Sequence, residues 1–143
     1  MTPAAWLRAL GVIFILFSAG HTAGVVSPPS HGPAVAVYET MQRVRFPAMG
    51  FERTYGEFYL GFGLFVSAAF LILAALAFQL AAVSRRHPAE VWPMAVTLLV
   101  GCLASAVLSW RYFFIAPIVM SVAAVAVAAG AVAALRRASA LRA

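Results

Sequence analysis

The residue types most capable of chemistry lie together in one stretch, residues 50–64, which reads GFERTYGEFYLGFGL. This stretch opens the longest apolar run of the chain and carries two of its four acidic residues, Glu52 and Glu57. Interleaved with them are Arg53, Tyr55 and Tyr59. A carboxylate one turn into a membrane helix, as we expect for Glu57, is costly unless it is paired or hydrated, and by default it marks a functional site.

The composition identifies the chain as an integral membrane protein. Of its 143 residues, 64% are hydrophobic and 10% are charged, whereas soluble proteins average roughly 45–50% and about 25%. The net charge of +6 comes from arginines, without a lysine. Because these arginines flank the apolar segments, they indicate membrane topology and interface anchoring, not a nucleic-acid surface. The single cysteine, Cys102, excludes an internal disulfide and dithiol redox chemistry.

Four apolar segments predict an all-α fold, an integral membrane four-helix bundle in one domain. We place the spans at residues 4–26, 53–83, 89–110 and 113–135, each long enough to cross the hydrocarbon core. The first segment has features of a signal peptide, but three more spans follow it, which favours a retained helix. In the third segment, small residues recur every four positions, which predicts either a tight helix–helix seam or the wall of a cavity. These residues are Thr97, Gly101, Ser105 and Ser109.

The long connection between the first two spans, residues 27–52, is predicted to hold a short helix. Between residues 34 and 46, Val37, Met41 and Val44 recur at helical spacing, with polar residues on the other faces. This pattern is typical of an amphipathic helix lying in the membrane interface, and the prolines before and after it should limit its length. An ordinary linker and a lid over a binding site both fit this pattern.

An even number of spans places both termini on the same side of the membrane. Six of the ten arginines lie on that side, and their excess favours both termini in the cytoplasm. The six are Arg8, Arg85, Arg86, Arg136, Arg137 and Arg142.

With this topology, the end of the first span, the start of the second and the end of the third all lie at the outer face. We therefore predict that their polar residues converge on one pocket near the outer interface. Glu57 and His21 would be its catalytic pair, since a carboxylate in an apolar site and a histidine can both exchange protons near neutrality. The ligand-binding residues would be Arg53, Tyr55, Tyr59, Arg111 and Tyr112.

A purely structural interpretation accounts for the same residues. Arg53 and Glu57 are four apart on one predicted helix and could pair there, or Glu57 could pair with Arg111 across helices. His21 could simply hydrogen-bond a neighbouring backbone group. Ligand binding without catalysis is a third interpretation, so the sequence leaves open whether the protein is an enzyme.

We expect neither a cofactor nor a metal ion. Only one histidine, His21, lies inside a span, which argues against a haem held by two histidines. No cluster of histidine, cysteine and carboxylate residues has the spacing of a metal site. The pair Gly61 and Gly63 lies within a span and is not a phosphate-binding loop.

Three motifs resemble a family of small, uncharacterised bacterial membrane proteins with four transmembrane helices. They are GHTAG at residues 20–24, MGFERTYGEFYLGFGL at residues 49–64 and SWRYFFIAPIVMS at residues 109–121. The resemblance covers most of the chain and implies the fold and a bacterial inner-membrane location, without an activity. A looser likeness to DoxX-type proteins supports only the architecture.

The arginine, tyrosine and glutamate residues of the second motif also look like those of the membrane-associated glutathione and eicosanoid enzymes. Those proteins have an arginine and a carboxylate early in their second helix and an Arg/Tyr cluster near the end of the third. This chain lacks the asparagine that precedes the carboxylate in those enzymes, so glutathione binding is not carried over.

Two functions follow as expectations. In the first, the protein binds a lipophilic molecule at the outer leaflet and could also process it by acid/base chemistry. In the second, it is a non-catalytic accessory subunit that packs against a larger membrane complex. The expected partners are the lipid bilayer, the lipophilic molecule, and either further copies of the chain or a larger complex, with no nucleic acid.

Overall fold

A computed structural model describes residues 1–141, so Arg142, counted above for topology, lies outside the described residues. The predicted all-α bundle is confirmed, and four helices are long and apolar enough to cross a membrane. In chain order the elements are α1 (Pro3–Val26), α2 (Pro33–Arg43), β1 (Arg45–Ala48), β2 (Phe51–Thr54), α3 (Tyr55–Val83), α4 (Pro88–Tyr112) and α5 (Ile115–Ala140).

Prolines mark the starts of three helices, of which α1 begins at Pro3. Pro33 begins α2 and Pro88 begins α4, at the position where the missing N–H of proline costs nothing. Gly32 precedes α2 with φ 74°, a left-handed conformation that glycine adopts without strain. The short helix predicted between the first two spans is therefore present, and it ends at Arg43.

The chain between α2 and α3 differs from the prediction. Instead of a helix reaching Phe46 and then a loop, residues 45–54 form an antiparallel hairpin, in which Arg45 pairs with Thr54 and Ala48 with Phe51. Helix α3 follows at Tyr55, so Arg53 lies in a strand and not on the same helix as Glu57. At the other end of the chain, α5 continues to Ala140, past the end of its apolar run.

The described chain forms two compact units, whose boundaries fall within α1 and α3. One comprises residues 1–17 and 70–141 and is called the helical unit here; its core consists mainly of small and branched side chains. Along α5 the buried residues recur every three or four positions, as expected for one packed helix face. They are Ser121, Ala124, Ala128, Ala131 and Leu135. The second unit, residues 18–69, is called the hairpin unit.

The small-residue stripe of α4 only partly matches its prediction as a seam. Ser109 is buried, but Thr97 and Gly101 are exposed. The buried face of α4 is instead set by Val91, Ala95 and Cys102. The Thr97 hydroxyl donates a hydrogen bond to the carbonyl oxygen of Pro93, one turn earlier in its own helix, at 3.2 Å.

Candidate functional site

The start of α3 is closed by a reciprocal pair of hydrogen bonds between Thr54 and Glu57. The backbone N–H of Thr54 donates to Glu57 Oε2, and the backbone N–H of Glu57 donates to Thr54 Oγ1. This is a capping box, in which a threonine and a glutamate three residues later satisfy the free N–H groups of the first helical turn. Thr54 is buried, whereas Glu57 is exposed at the surface of the hairpin unit.

These contacts differ from the apolar environment that the sequence predicts for Glu57. Its carboxylate is held by the backbone next to it, and within residues 1–141 it forms no ion pair. Arg53 is engaged elsewhere. Its guanidinium donates to the carbonyl oxygen of Glu52 at 2.9 Å and lies over the ring of Phe51, 5.4 Å from the centroid. Arg53 belongs to β2, so a pair of Arg53 and Glu57 on one helix, one of the two pairings that the sequence allowed, is not formed.

Aromatic side chains join the hairpin to the first turns of α3. The Phe46 ring of β1 lies 4.7 Å from the ring of Tyr55 and 5.6 Å from that of Phe58, measured between centroids. Phe58 in turn packs edge-on against Phe62 at 4.8 Å. Tyr55 therefore packs against the hairpin through its contact with Phe46.

Small and hydroxyl side chains join the end of α1 to α3 within the hairpin unit. The Ser18 hydroxyl donates to the carbonyl oxygen of Ser67 at 2.9 Å, and the Thr22 hydroxyl donates to Ser67 Oγ at 2.8 Å. The Ser67 hydroxyl donates to the Gly63 carbonyl oxygen. Gly63 also faces Val25 so closely that a Cβ at position 63 would overlap the valine side chain.

His21 lies among these residues in sequence but has no partner on one ring nitrogen. Its Nε2 atom is buried and makes no hydrogen bond to the described part of the chain. The predicted backbone hydrogen bond is therefore not made by this nitrogen. An unpaired polar atom in such a site is unfavourable unless something outside the chain binds it.

The hairpin unit contains an open cavity of about 400 Å³ beside α2, and this cavity is called the cavity below α2 here. Its walls come from the end of α1, the turn before α2, one side of α2 and the first turns of α3. The lining residues are Gly24, Val25, Ser27, Pro29, Ala34, Val37, Tyr38, Met41, Gln42, Gly56 and Tyr59. This lining is mostly apolar, with two tyrosines and one amide as its larger polar groups, and it contains no charged side chain.

The side chain of Gln42 on α2 meets α3 at Gly56, beside this cavity. A Cβ built on Gly56 would lie 2.5 Å from the side-chain nitrogen of Gln42, so the end of this flexible side chain would have to shift. The Gln42 amide therefore rests directly on the α3 backbone. Helix α2 has no fully buried residue of its own, so it covers the cavity without forming part of a packed core.

Of the seven predicted site residues, one lines this cavity, and that residue is Tyr59. Glu57, Arg53, Tyr55 and His21 belong to the same unit but make the other contacts described above. Arg111 and Tyr112 lie at the end of α4 in the helical unit, where the Arg111 guanidinium stacks over the Tyr112 ring at 5.5 Å. The catalytic and ligand-binding roles given to these seven residues stay predictions.

Several cavity residues were not singled out from the sequence, above all Tyr38, Gln42 and Gly56. The amphipathic pattern of residues 34–46 places Met41 on an apolar face. If that helix is a lid over a site, the residues next to Met41 on the helix are expected to line the site too. The capping box also had a signal, since threonine followed three residues later by glutamate before an apolar run is its sequence pattern.

The described residues contain no group of three or more histidine, cysteine or carboxylate side chains that could hold a metal ion. The cavity offers apolar contact and a few neutral hydrogen-bonding groups. No protein-family model, curated protein or solved structure matches the chain.

Proposed function

We propose that this protein binds a small lipophilic molecule at the outer leaflet of a bacterial cytoplasmic membrane, with both termini in the cytoplasm. The observation that carries the proposal is the cavity of about 400 Å³ below α2. Its volume lies in the range of small-molecule sites, and its lining has their usual character, apolar walls with a few placed polar groups.

The polar groups of the lining fit a ligand with one neutral hydrogen-bonding end. Tyr38, Gln42 and Tyr59 all reach the cavity, and each can donate and accept a hydrogen bond. Since no charged side chain lines the cavity, a charged ligand would be desolvated there without a counter-charge, which is unfavourable. A neutral amphiphile meets both conditions.

Helix α2 is suited to admit and retain such a ligand. It is 11 residues long, has no fully buried residue and follows a turn that contains Gly32 with positive φ. Elements with few buried contacts open locally at low cost. Displacement of α2 would widen the opening of the cavity.

We propose binding and not catalysis as the function. Glu57 is occupied by the helix cap, and neither Glu57 nor His21 lines the cavity. A ligand bound below α2 would therefore not contact Glu57 or His21, the proton-handling pair predicted from the sequence.

The test is native mass spectrometry of the protein released from lipid nanodiscs, comparing wild type with Ala34→Trp and Ala36→Trp. Ala34 lines the cavity, whereas Ala36 lies on the same helix, is exposed and does not line it. A bound small molecule should be present in wild type and Ala36→Trp and lost from Ala34→Trp.

Equal retention by all three proteins would place the molecule elsewhere and overturn the proposal, as would the absence of any small molecule from wild type. A partner protein retained equally by all three, with no small molecule, would instead support the accessory-subunit function.

A further inference from the structure

The tip of the hairpin combines an apolar side chain with a strained backbone. Met49 and Gly50 form the two-residue turn between β1 and β2, and both have positive φ, 48° and 89°. Turns of this kind favour asparagine followed by glycine, because most other residues are strained at the first position. Met49 is nevertheless fully exposed.

One face of the hairpin continues this apolar tip. From the strand register, Phe46, Ala48, Phe51 and Arg53 lie on the same face, since residues directly opposite in antiparallel strands share a face. Phe51 is 63% exposed. Phe46 anchors the inner end of this face to α3, so the exposed apolar residues are those nearest the tip.

The opposite face is polar. It carries Arg45 and Glu52, whose charged atoms lie 3.9 Å apart and which are both largely exposed. Together with Arg53, the hairpin holds two arginines against one glutamate. It therefore presents an excess of positive charge beside an apolar tip.

The hairpin is fixed at the end of a membrane-spanning helix. Thr54 is both the last residue of β2 and the cap of α3, so no linker separates the two elements. The first turns of α3 expose Tyr55 and Tyr59 by about half, and tyrosine is a residue typical of the membrane–water interface. The Phe46 ring also contacts the rings of Tyr55 and Phe58, which ties the hairpin to the start of α3.

We infer that the hairpin lies in the headgroup layer of the phospholipid bilayer, with Met49 and Phe51 inserted at the acyl boundary and Arg45 and Arg53 at the phosphates. An exposed apolar tip next to arginines is complementary to a lipid surface, because acyl chains can take up the apolar side chains while phosphate oxygens bind the arginines. Arginine forms bidentate hydrogen bonds with phosphate. This inference does not depend on a ligand in the cavity.

The experiment measures the membrane depth of nitroxide spin labels by their accessibility to oxygen and to a water-soluble nickel complex. The single native cysteine, the buried Cys102, is first replaced by alanine, and labels are then placed by Met49→Cys, Ser30→Cys and Phe65→Cys. Ser30 is exposed in the turn before α2, and Phe65 is 73% exposed on α3, so these two provide the water and lipid references. The protein is reconstituted in phosphatidylcholine–phosphatidylglycerol vesicles.

The label at position 49 should have an oxygen-to-nickel accessibility ratio several-fold above that at position 30 and below that at position 65. The same ratio should persist when Ala34→Trp is added, which separates the hairpin from the cavity. A ratio at position 49 equal to that at position 30 would place the tip in water and overturn the inference. Protection from both reagents would overturn it too, since a protein surface would then cover the tip.

Discussion

Thr54 and Glu57 hold each other across the first turn of α3, through N–H···O hydrogen bonds of 2.7 Å to the carboxylate and 3.0 Å to the hydroxyl. Removing the buried hydroxyl in Thr54→Ala should lower the free energy of unfolding by about 1 kcal/mol, the usual effect of losing a helix cap. Titration with a denaturing detergent measures this. Thr40→Ala, at an exposed position of α2, is the control and should change stability little.

The same relationship predicts the behaviour of Glu57→Gln. Glutamine serves as well as glutamate at the third position of a capping box, so this variant should keep most of the wild-type stability, and Glu57→Ala should lose more. Ligand retention should be unchanged in Glu57→Gln. Loss of the bound molecule from a stable Glu57→Gln protein would show that the carboxylate acts on the ligand, as the sequence predicts.

Gly63 and Gly61 form a matched pair on α3. A Cβ at Gly63 would overlap Val25, whereas a Cβ at Gly61 would meet nothing within 4 Å. Gly63→Ala should therefore destabilise the protein by about 1–3 kcal/mol, as overpacking does, and Gly61→Ala should not. Adding Val25→Ala should restore part of the loss in Gly63→Ala. Equal effects of the two glycine substitutions would contradict the observed packing of α1 against α3 in the hairpin unit.

The hydrogen bond between Thr22 and Ser67 should be measurable as a coupling energy. In a double-mutant cycle of Thr22→Val and Ser67→Ala, we expect about 0.6 kcal/mol, the average for interhelical hydrogen bonds in a membrane protein, and at most roughly 1.7 kcal/mol. Additive effects of the two substitutions would mean that the hydroxyls do not interact.

His21→Leu tests whether the buried Nε2 atom has a partner outside the chain. If it has none, replacing it with an apolar side chain should raise the thermal unfolding temperature, because an unsatisfied buried polar atom is removed. A lower unfolding temperature together with a lost small molecule would identify His21 as a ligand-binding residue. His31→Leu, at an exposed position, is the control and should leave both readouts unchanged.

The long helices could be predicted because each needs only an uninterrupted apolar run. That signal says less about where a helix ends. Arg136 and Arg137 end the apolar run of the last helix, yet α5 continues to Ala140. The helix can continue because arginine has a high helix propensity and its charged side chain is favourably hydrated in water. The buried face of α4 also could not be predicted, because small residues lie on more than one side of this helix.

The hairpin could not be predicted because its sequence lacks the usual signals. Its strands have four residues each, Pro47 interrupts the first, and the turn carries methionine where asparagine or glycine is expected. Pro47 is tolerated because a two-stranded sheet leaves each strand an open edge. The cavity could not be predicted for a related reason. Its lining depends on where the hairpin and the α2–α3 contact place Tyr38 and Gln42.

The two units differ in when their chains become available during synthesis. The hairpin unit is one uninterrupted segment, residues 18–69, so all the residues that form its contacts are available once α3 has left the ribosome. The helical unit joins residues 1–17 to residues that follow position 70, so its core must wait for α4 and α5. Because neighbouring segments find each other with a smaller loss of chain entropy, the cavity below α2 and the hairpin would be formed first, and the site proposed for a ligand would exist before the last two helices do.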